Sequence, residues 1–399
     1  ELPPALAIVN PNRRDCPYPF KGLAGVGVTF KVVQALSEAF MGGEQRRRYL
    51  NGLLDLVALG TVADVMPVLG ENRVLIQRGL KILEQSSRPG LRQLKAVAGY
   101  RDKRLNTTAL GFHLGPRLNV AGRLETPELA LDLLRAKTDA QAAVLADRLN
   151  QLNARRQALQ REGLKQAEEL VGPEELERDR LLMVLGEWKR GIVGLLAGKL
   201  AEKHARPAVV CTADGGQGLY TGSARSIPGY DISAAIAACG QYLVAYGGHP
   251  GAAGFSLKAE QFEAFRLRLI EHANARLTAE DLQARLKIDL LLKPVDLCMG
   301  TIEALARLEP FGNGHEVPIF AVHGCRLLSA QAVGRDGTHL RMELEVGGRL
   351  CKAVWWGQGS LGSRLRPGTS LNAAFELEAD AYAGNGTVQM VVRDLYSPA

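Results

Sequence analysis

Between Glu128 and Leu170 the chain contains one glycine, Gly163, and no proline. A stretch that long without a helix breaker strongly narrows the folds available. Ala142, Leu145, Leu149, Leu152, Leu159 and Leu170 keep a loose helical stripe, with Arg and Gln between them. Thr138-Asp139 supplies an N-terminal cap. The pattern predicts one long helix running to about Leu170, roughly 48 Å at 1.5 Å per residue. Val171-Gly-Pro173 then stops it. Polar on most faces, such a helix suits a strut between domains. A chain of 399 residues has room for two to three of them.

The segments on either side of this helix differ in texture. Residues 1–85 alternate strand and helix signals. Leu6-Ala-Ile-Val9 reads as a short strand stopped by Asn10-Pro11-Asn12, and Val28–Phe40 and Glu71–Leu83 have helical spacing. Residues 180–275 read as a second α/β unit. Leu181–Leu185 and Ala208–Cys211 are its buried strands, Gly191–His204 the crossover helix, and Gly222–Ser226 the start of a third strand. Residues 286–399 are dominated by strand-like runs at Cys325–Leu328, Leu340–Val346, Leu350–Trp356, Ser370–Leu377 and Thr387–Leu395. Turn signals separate them at 335–337, 347–348, 367–368 and 384–386. About five short strands in such a span suggest a small β-barrel. Trp355-Trp356 lies on one of them, where alternation sends one ring inward and one outward. The outward ring is placed to stack on a base or to sit in a domain interface.

Lys plus Arg is 49 against 42 for Asp plus Glu, a formal charge of +7. That mild excess favours a polyanionic partner. No run of 18 apolar residues occurs, which excludes a membrane-spanning helix. The N-terminus has neither a signal-peptide layout nor an initiator Met, and reads as that of a processed chain or of a piece of something longer. Six scattered cysteines without a Cys-x-x-Cys pair read as reduced thiols of a cytoplasmic protein.

Four segments carry chemistry. In Ala58–Pro67 the carboxylate of Asp64 stands among apolar residues. Burial without a partner is costly, so Asp64 is either a helix cap or held by a cation, and Asp55 is a weaker candidate by the same logic. In Gly115–Leu124, Arg117, Asn119 and Arg123 stand among small residues. They either reach a phosphate ligand or pair with carboxylates such as Glu125. In Thr221–Gly229, Ser223 and Arg225 share one strand face, a compact phosphate-binding pair or a polar strand end. In Tyr246–Phe255, glycines and alanines surround His249, as in a turn whose backbone and imidazole approach a ligand closely. The basic runs Arg46–Arg48 and Arg155-Arg156 read as solvated faces before they read as a binding groove.

In order along the chain, these segments resemble the RecJ-type single-strand-specific exonucleases of the DHH phosphoesterase superfamily. Ile8–Arg13 resembles the segment after the Asp-His-His motif, and Phe20–Gly27 the glycine-rich turn that follows. Ala58–Pro67 resembles the last metal motif of the catalytic domain. Gly115–Leu124 resembles the Asn-Ala-Ala-Gly-Arg segment, with Val120 in place of one Ala. Gly222–Pro228 and Gly247–Gly254 resemble the substrate motifs of the DHH-associated domain, and residues 309–399 an OB-fold.

The resemblance implies an α/β protein in four parts. These are the C-terminal part of a DHH catalytic domain (1–127), connecting helices (128–172), an α/β DHH-associated substrate-binding domain (173–280) and an OB-fold nucleic-acid-binding barrel (281–399). It implies metal-dependent 5′→3′ hydrolysis of single-stranded DNA in repair and recombination, with Mn²⁺ or Mg²⁺ in a two-metal site. Asp64 would be a metal ligand. Ser223 and Arg225 would hold the 5′-phosphate, and Arg117 and Arg123 a backbone phosphate. Gly247, Gly248 and His249 would line the substrate path, His249 with a catalytic part. The implied partners are single-stranded DNA with a 5′ end, and as candidates a single-strand-binding protein and a helicase, with no membrane.

Two departures are Glu187-Trp-Lys-Arg190, where the family has His after Trp, and Phe311-Gly-Asn-Gly-His315, where Gly-x-Gly-Asn is usual. The family's Asp-x-Asp and Asp-His-His motifs do not occur in this sequence, so the chain alone is expected to be inactive. The rival readings are an oligoribonuclease or cyclic-dinucleotide phosphodiesterase of the same superfamily, and a non-catalytic replication scaffold.

Overall fold

The computed structural model describes residues 3–213, 218–380 and 386–396. Its contacts divide the chain into two compact units. One comprises 85–104 and 111–285, the other 1–84, 105–110 and 286–399.

The first unit contains the long helix. It runs over Asp139–Glu169, 31 residues, and Thr138 Oγ1 caps it by accepting the Gln141 amide at 3.3 Å. It packs on the helices Pro89–Val97, Glu128–Arg135 and Arg190–His204. The lone glycine has a steric reason. A Cβ on Gly163 would stand 3.1 Å from Leu196 Cδ1 and 3.2 Å from Trp188 Cδ1. Gly163 is therefore where the Arg190–His204 helix and Trp188 press closest.

Five strands follow, β1 (Leu182–Gly186), β2 (Ala208–Ala213), β3 (Leu219–Arg225), β4 (Ala245–His249) and β5 (Ala252–Lys258), in the order β1-β2-β3-β5-β4. β1 and β2 are parallel, joined by the Arg190–His204 crossover, and the other pairs are antiparallel. Met183, Val209, Cys211, Ala224 and Phe255 face helices Ile232–Ala237 and Phe262–Asn274. On the opposite face, Leu182, Val184, Ala208 and Val210 pack with Ile192, Leu196 and Leu200 of the crossover helix. The glycine-rich segment expected to be a turn is instead mostly strand. Gly247 and Gly248 lie in β4, and only Pro250-Gly251 turns. Ladder hydrogen bonds need only backbone, so β5 can pair with residues that lack side chains.

In the second unit, helices Gly25–Phe40, Gly43–Asn51, Leu54–Ala63 and Gly70–Glu84 gather around Leu23, Phe30, Leu54, Val57 and Leu75. The strand expected at Leu6–Val9 does not form. Leu6 and Val9 are exposed, and no strand of the described residues pairs with them. The described part of residues 1–127 is helical, without the strands that its texture suggested.

Residues 286–396 add β6 (Leu290–Leu291), β7 (Phe320–Val333), β8 (His339–Val346), β9 (Arg349–Trp355), β10 (Ser370–Ala379) and β11 (Val388–Tyr396). β7-β8-β9-β11-β10 close into a barrel through the β10–β7 pairing, with β9 and β11 parallel. That is the strand order of an OB-fold. Cys325, Leu327, Leu340, Met342, Leu344 and Phe375 fill it. Trp355 packs against this core, while Trp356 is exposed and meets His339 edge-on at 4.9 Å. The turn expected at 384–386 lies outside the described residues except for Gly386.

Gly222 of β3 pairs with Phe255, and a Cβ there would fall 2.2 Å from the ring. Gly222→Ala is expected to cost about 1–3 kcal/mol through overpacking, seen as a lowered midpoint in thermal or denaturant unfolding.

Candidate nucleic-acid interface

Ser223 and Arg225, expected from the sequence to share one strand face, lie together. Arg225 Nη1 donates to Ser223 Oγ at 3.1 Å and to Ala224 O at 2.8 Å, so the two side chains share one face of β3. The Arg190–His204 helix lies over them. Its Gly194 leaves the space they occupy, since a Cβ there would stand 3.0 Å from both Ser223 Oγ and Arg225 Nη2. One turn earlier, a Cβ on Gly191 would collide with Arg123 O at 2.0 Å. Arg123 Nη1 donates to Gly191 O at 3.2 Å. Two glycines thus let the helix start approach both arginines.

A third guanidinium joins them. Arg156, on the long helix, donates from Nη2 to Asn153 Oδ1 at 3.0 Å and from Nη1 to Gln160 Oε1 at 3.1 Å. Loss of hydration holds the pKa of the half-buried Arg156 below its ordinary value, and Arg123 adds repulsion. Arg225 is lowered by the same two causes in the same order. Arg123 is thus the shared neighbour of both. Among the described residues, none of Arg117, Arg123, Arg156 and Arg225 has a carboxylate within ion-pair distance. Guanidinium does not deprotonate in proteins, so the charge stays and is only hydrogen-bonded by neutral oxygens. An anion with several oxygens is the partner such a group lacks.

His249 lies two strands away on the same sheet face. Arg225 pairs with Ala252 and Ala252 with His249, while Ser223 pairs with Gly254 and Gly254 with Gly247. Residues directly opposite each other point to one side. His249 is exposed on the edge strand, and its Nδ1 accepts the Gly251 amide at 3.3 Å. The neutral ring therefore carries its proton on Nε2. The two expected glycines differ. A Cβ on Gly248 would strike Ala252 O at 2.5 Å, so the hairpin itself requires glycine there. A Cβ on Gly247 would meet nothing within 4 Å.

Arg117 lies on the short helix Gly115–Asn119. It donates to Asn150 Oδ1 at 3.0 Å and to His113 O at 2.6 Å, while Asn119 is exposed. Of the alternatives open for these two arginines, pairing with Glu125 is not observed, and Arg148 takes that carboxylate.

Asp64 belongs to the other unit. It is exposed at the C-cap of helix Leu54–Ala63, which removes the burial argument made for it. The buried carboxylate is Asp55, in the first turn of that helix, where the dipole favours it. Asp64 stands at the opposite end, where a carboxylate adds to the carbonyls' negative charge and a cation is the favoured partner. Val65, next to it, has φ +56°, strained for a β-branched residue. Asn313 holds this loop, its side chain donating to Val65 O at 2.7 Å and its carbonyl accepting from the Val68 amide at 2.7 Å. Among the described residues no group of three His, Cys, Asp or Glu could hold a metal. The described residues do not by themselves compose a two-metal centre.

Arg156, Gly191 and Gly194 were missed by sequence reasoning. Arg155-Arg156 was expected to be a solvated face, which holds for Arg155 alone. The available signal was an amide at i−3 and another at i+4 from Arg156, with no carboxylate at either place.

A model described as the DHHA1 domain matches residues 180–275, and one described as the RecJ OB domain matches residues 288–394. The single-stranded-DNA-specific exonuclease RecJ of Escherichia coli is 35% identical over 99% of this chain, which spans 71% of that protein. This chain belongs to the RecJ family. The Bacillus subtilis RecJ is 34% identical, and the chain spans about half of it, 49%. The crystal structure of Thermus thermophilus RecJ in complex with Mg²⁺ superposes with a TM-score of 0.81 at 32% identity, over 96% of this chain and 57% of that one.

Because the RecJ arginines repel one another in a partly desolvated place, Arg225→Met is expected to leave the unfolding midpoint unchanged or raised in phosphate-free buffer. It should abolish most of the stabilisation that added phosphate gives the parent chain. A thermal-shift titration with inorganic phosphate reads both.

Proposed function

We propose that this RecJ-family chain grips the 5′-phosphorylated end of single-stranded DNA for a metal-dependent 5′→3′ exonuclease. The observation that carries the reading is the set of guanidiniums without counter-charge, Arg225, Arg123 and Arg156, gathered beside Ser223 at the start of a helix. Ser223 and Arg225 bind the terminal phosphate. Arg123 contacts the phosphate beside it, Arg117 extends the positive surface, and the Gly247–His249 edge lines the path of the strand, with His249 Nε2–H available to a substrate oxygen. Residues 1–127 then act as the C-terminal part of the catalytic domain, 128–172 as connecting helices, 173–280 as the substrate-binding domain and 281–399 as a second DNA-binding module. There the exposed ring of Trp356 offers a stacking surface.

The named relatives are single-stranded-DNA-specific exonucleases, and two structures of the T. thermophilus protein are described as complexes with Mg²⁺ and Mn²⁺. By that analogy Asp64 contributes one carboxylate to the metal centre of the complete enzyme. Bound ions of this kind stabilise charge on the attacked phosphate. Holding the 5′ end fixed gives removal of nucleotides from that end. No helix of the described residues is long and apolar enough to cross a membrane. Repair and recombination in the cytoplasm, beside a single-strand-binding protein and a helicase, complete the proposal.

Arg225→Glu is expected to weaken binding of a 5′-phosphorylated oligonucleotide more than that of its 5′-hydroxyl twin, measured by fluorescence anisotropy. Equal losses on the two would remove the terminal-phosphate role. Binding of long single strands should also weaken with salt, by a slope of about −0.7 per phosphate neutralised. A flat salt response would leave the arginine cluster without its polyanion.

A further inference from the structure

The long helix carries a second feature, one that concerns what holds its arginines. Asn153 is buried at 3% exposure, yet its Oδ1 accepts both Nε and Nη2 of Arg156, at 3.3 and 3.0 Å. Gln160 accepts the third bond, at 3.1 Å. Three residues before Asn153, Asn150 accepts Nε of Arg117 at 3.0 Å. Each of these places would ordinarily suit Asp or Glu, which would orient the guanidinium equally well and hold it more strongly. Each carries an amide instead. A carboxylate fixes an arginine and neutralises it, whereas an amide fixes it and leaves the full positive charge outstanding. Elsewhere on the same helix arginine does meet carboxylate, as in Arg148 with Glu125, so the amides mark particular positions rather than a general scarcity of acid.

Resting on the proposed grip of the 5′ end, we infer that Arg156 binds the internal phosphate that follows the one at Arg123, and that Asn153 is a positioning residue that orients Arg156 without cancelling its charge. Arg123 lies on the helix Ala121–Leu124, which touches both the Arg190–His204 helix over Ser223 and Arg225 and the long helix that carries Arg156. That order sets the direction of the strand, with the terminal phosphate at Ser223 and Arg225 and the chain continuing past Arg123 toward the long helix.

The test is Asn153→Asp, an exchange that keeps shape and adds one negative charge beside Arg156. Binding of 5′-phosphorylated and 5′-hydroxyl oligothymidylate to the full chain is measured against salt, with thermal unfolding as a companion. The variant is expected to unfold at the same temperature or higher, because a buried pair is made. Its salt slope should flatten by about 0.7, the share of one phosphate, and its affinity at 0.1 M salt should fall about fivefold. The loss should be the same for both oligonucleotides. Arg156→Met should reproduce it, and Arg155→Met, at the exposed neighbour, should not.

Unchanged affinity and slope in a folded Asn153→Asp protein would overturn the inference. So would a loss confined to the 5′-phosphorylated strand, which would move Arg156 to the terminal phosphate. If Asn153→Asp does not fold, Arg156→Met decides by the same two readings. Failure of the underlying reading looks different. There Arg225→Glu loses its preference between the two ends, whatever Arg156 does.

Discussion

Positive charge that no carboxylate of the described residues neutralises is the constraint around which the unit of residues 85–104 and 111–285 is arranged. A half-buried guanidinium is tolerable when its N–H groups are satisfied, even if its charge is not. Ser223 Oγ and Ala224 O do this for Arg225, Gly191 O for Arg123, and Asn153 with Gln160 for Arg156. All of these acceptors are neutral. The fold therefore keeps the arginines oriented while leaving their mutual repulsion in place, and a bound polyanion is what relieves it. In the proposed function, stability given up in the unliganded chain would return as affinity, the usual exchange at sites that bind charged ligands.

Close approach makes this arrangement possible, and glycine makes the approach possible. Gly163 lets the crossover helix and Trp188 press against the long helix. Gly191 admits the Arg123 backbone, Gly194 clears room for Ser223 and Arg225, and Gly222 takes the Phe255 ring from the other side of the sheet. The position of one strand is thus set from both faces, by a ring packed on its glycine and by a helix lowered onto its serine and arginine. Arg225 has little freedom left, and a phosphate bound there, as proposed, would meet a group whose ordering entropy was lost on folding.

What could be read from the sequence follows from whether the signal was local. The cap at Thr138, the long helix and the barrel strands are each encoded within a few residues of themselves, and they formed close to their expected bounds except β7, which runs over Phe320–Val333 where Cys325–Leu328 was expected. Ser223 and Arg225 share a face because strand alternation is a local rule. The readings that failed needed a distant partner. Leu6–Val9 has strand composition but no ladder beside it. Gly247-Gly248 reads as a turn until β5 supplies a neighbour. Arg155 and Arg156 look alike as a basic pair, and only the fold separates the exposed one from the one held by Asn153. The gathering of Arg123, Arg156 and Arg225 joins residues far apart in the chain, and no spacing rule announces it.

Asp64 was singled out by an argument that its place in the fold removes. The sequence suggested a carboxylate too costly to bury, yet the carboxylate that is buried is Asp55, at the end of the helix where the dipole rewards it. Asp64 is exposed at the unfavourable end, beside a valine held at φ +56°. Both features persist only if something else over-determines the loop. Asn313 does so with two hydrogen bonds, and Arg73 secures the segment leading to it by donating to the carbonyls of Leu308, Glu309 and Pro310. The side chain of Thr107 donates to Phe311 O as well. A loop fastened from so many distant points is not relaxed to its own minimum. In the proposed function, the negative end of the helix dipole beside Asp64 would favour a bound cation. The same logic governs the arginines, with the sign of the charge reversed.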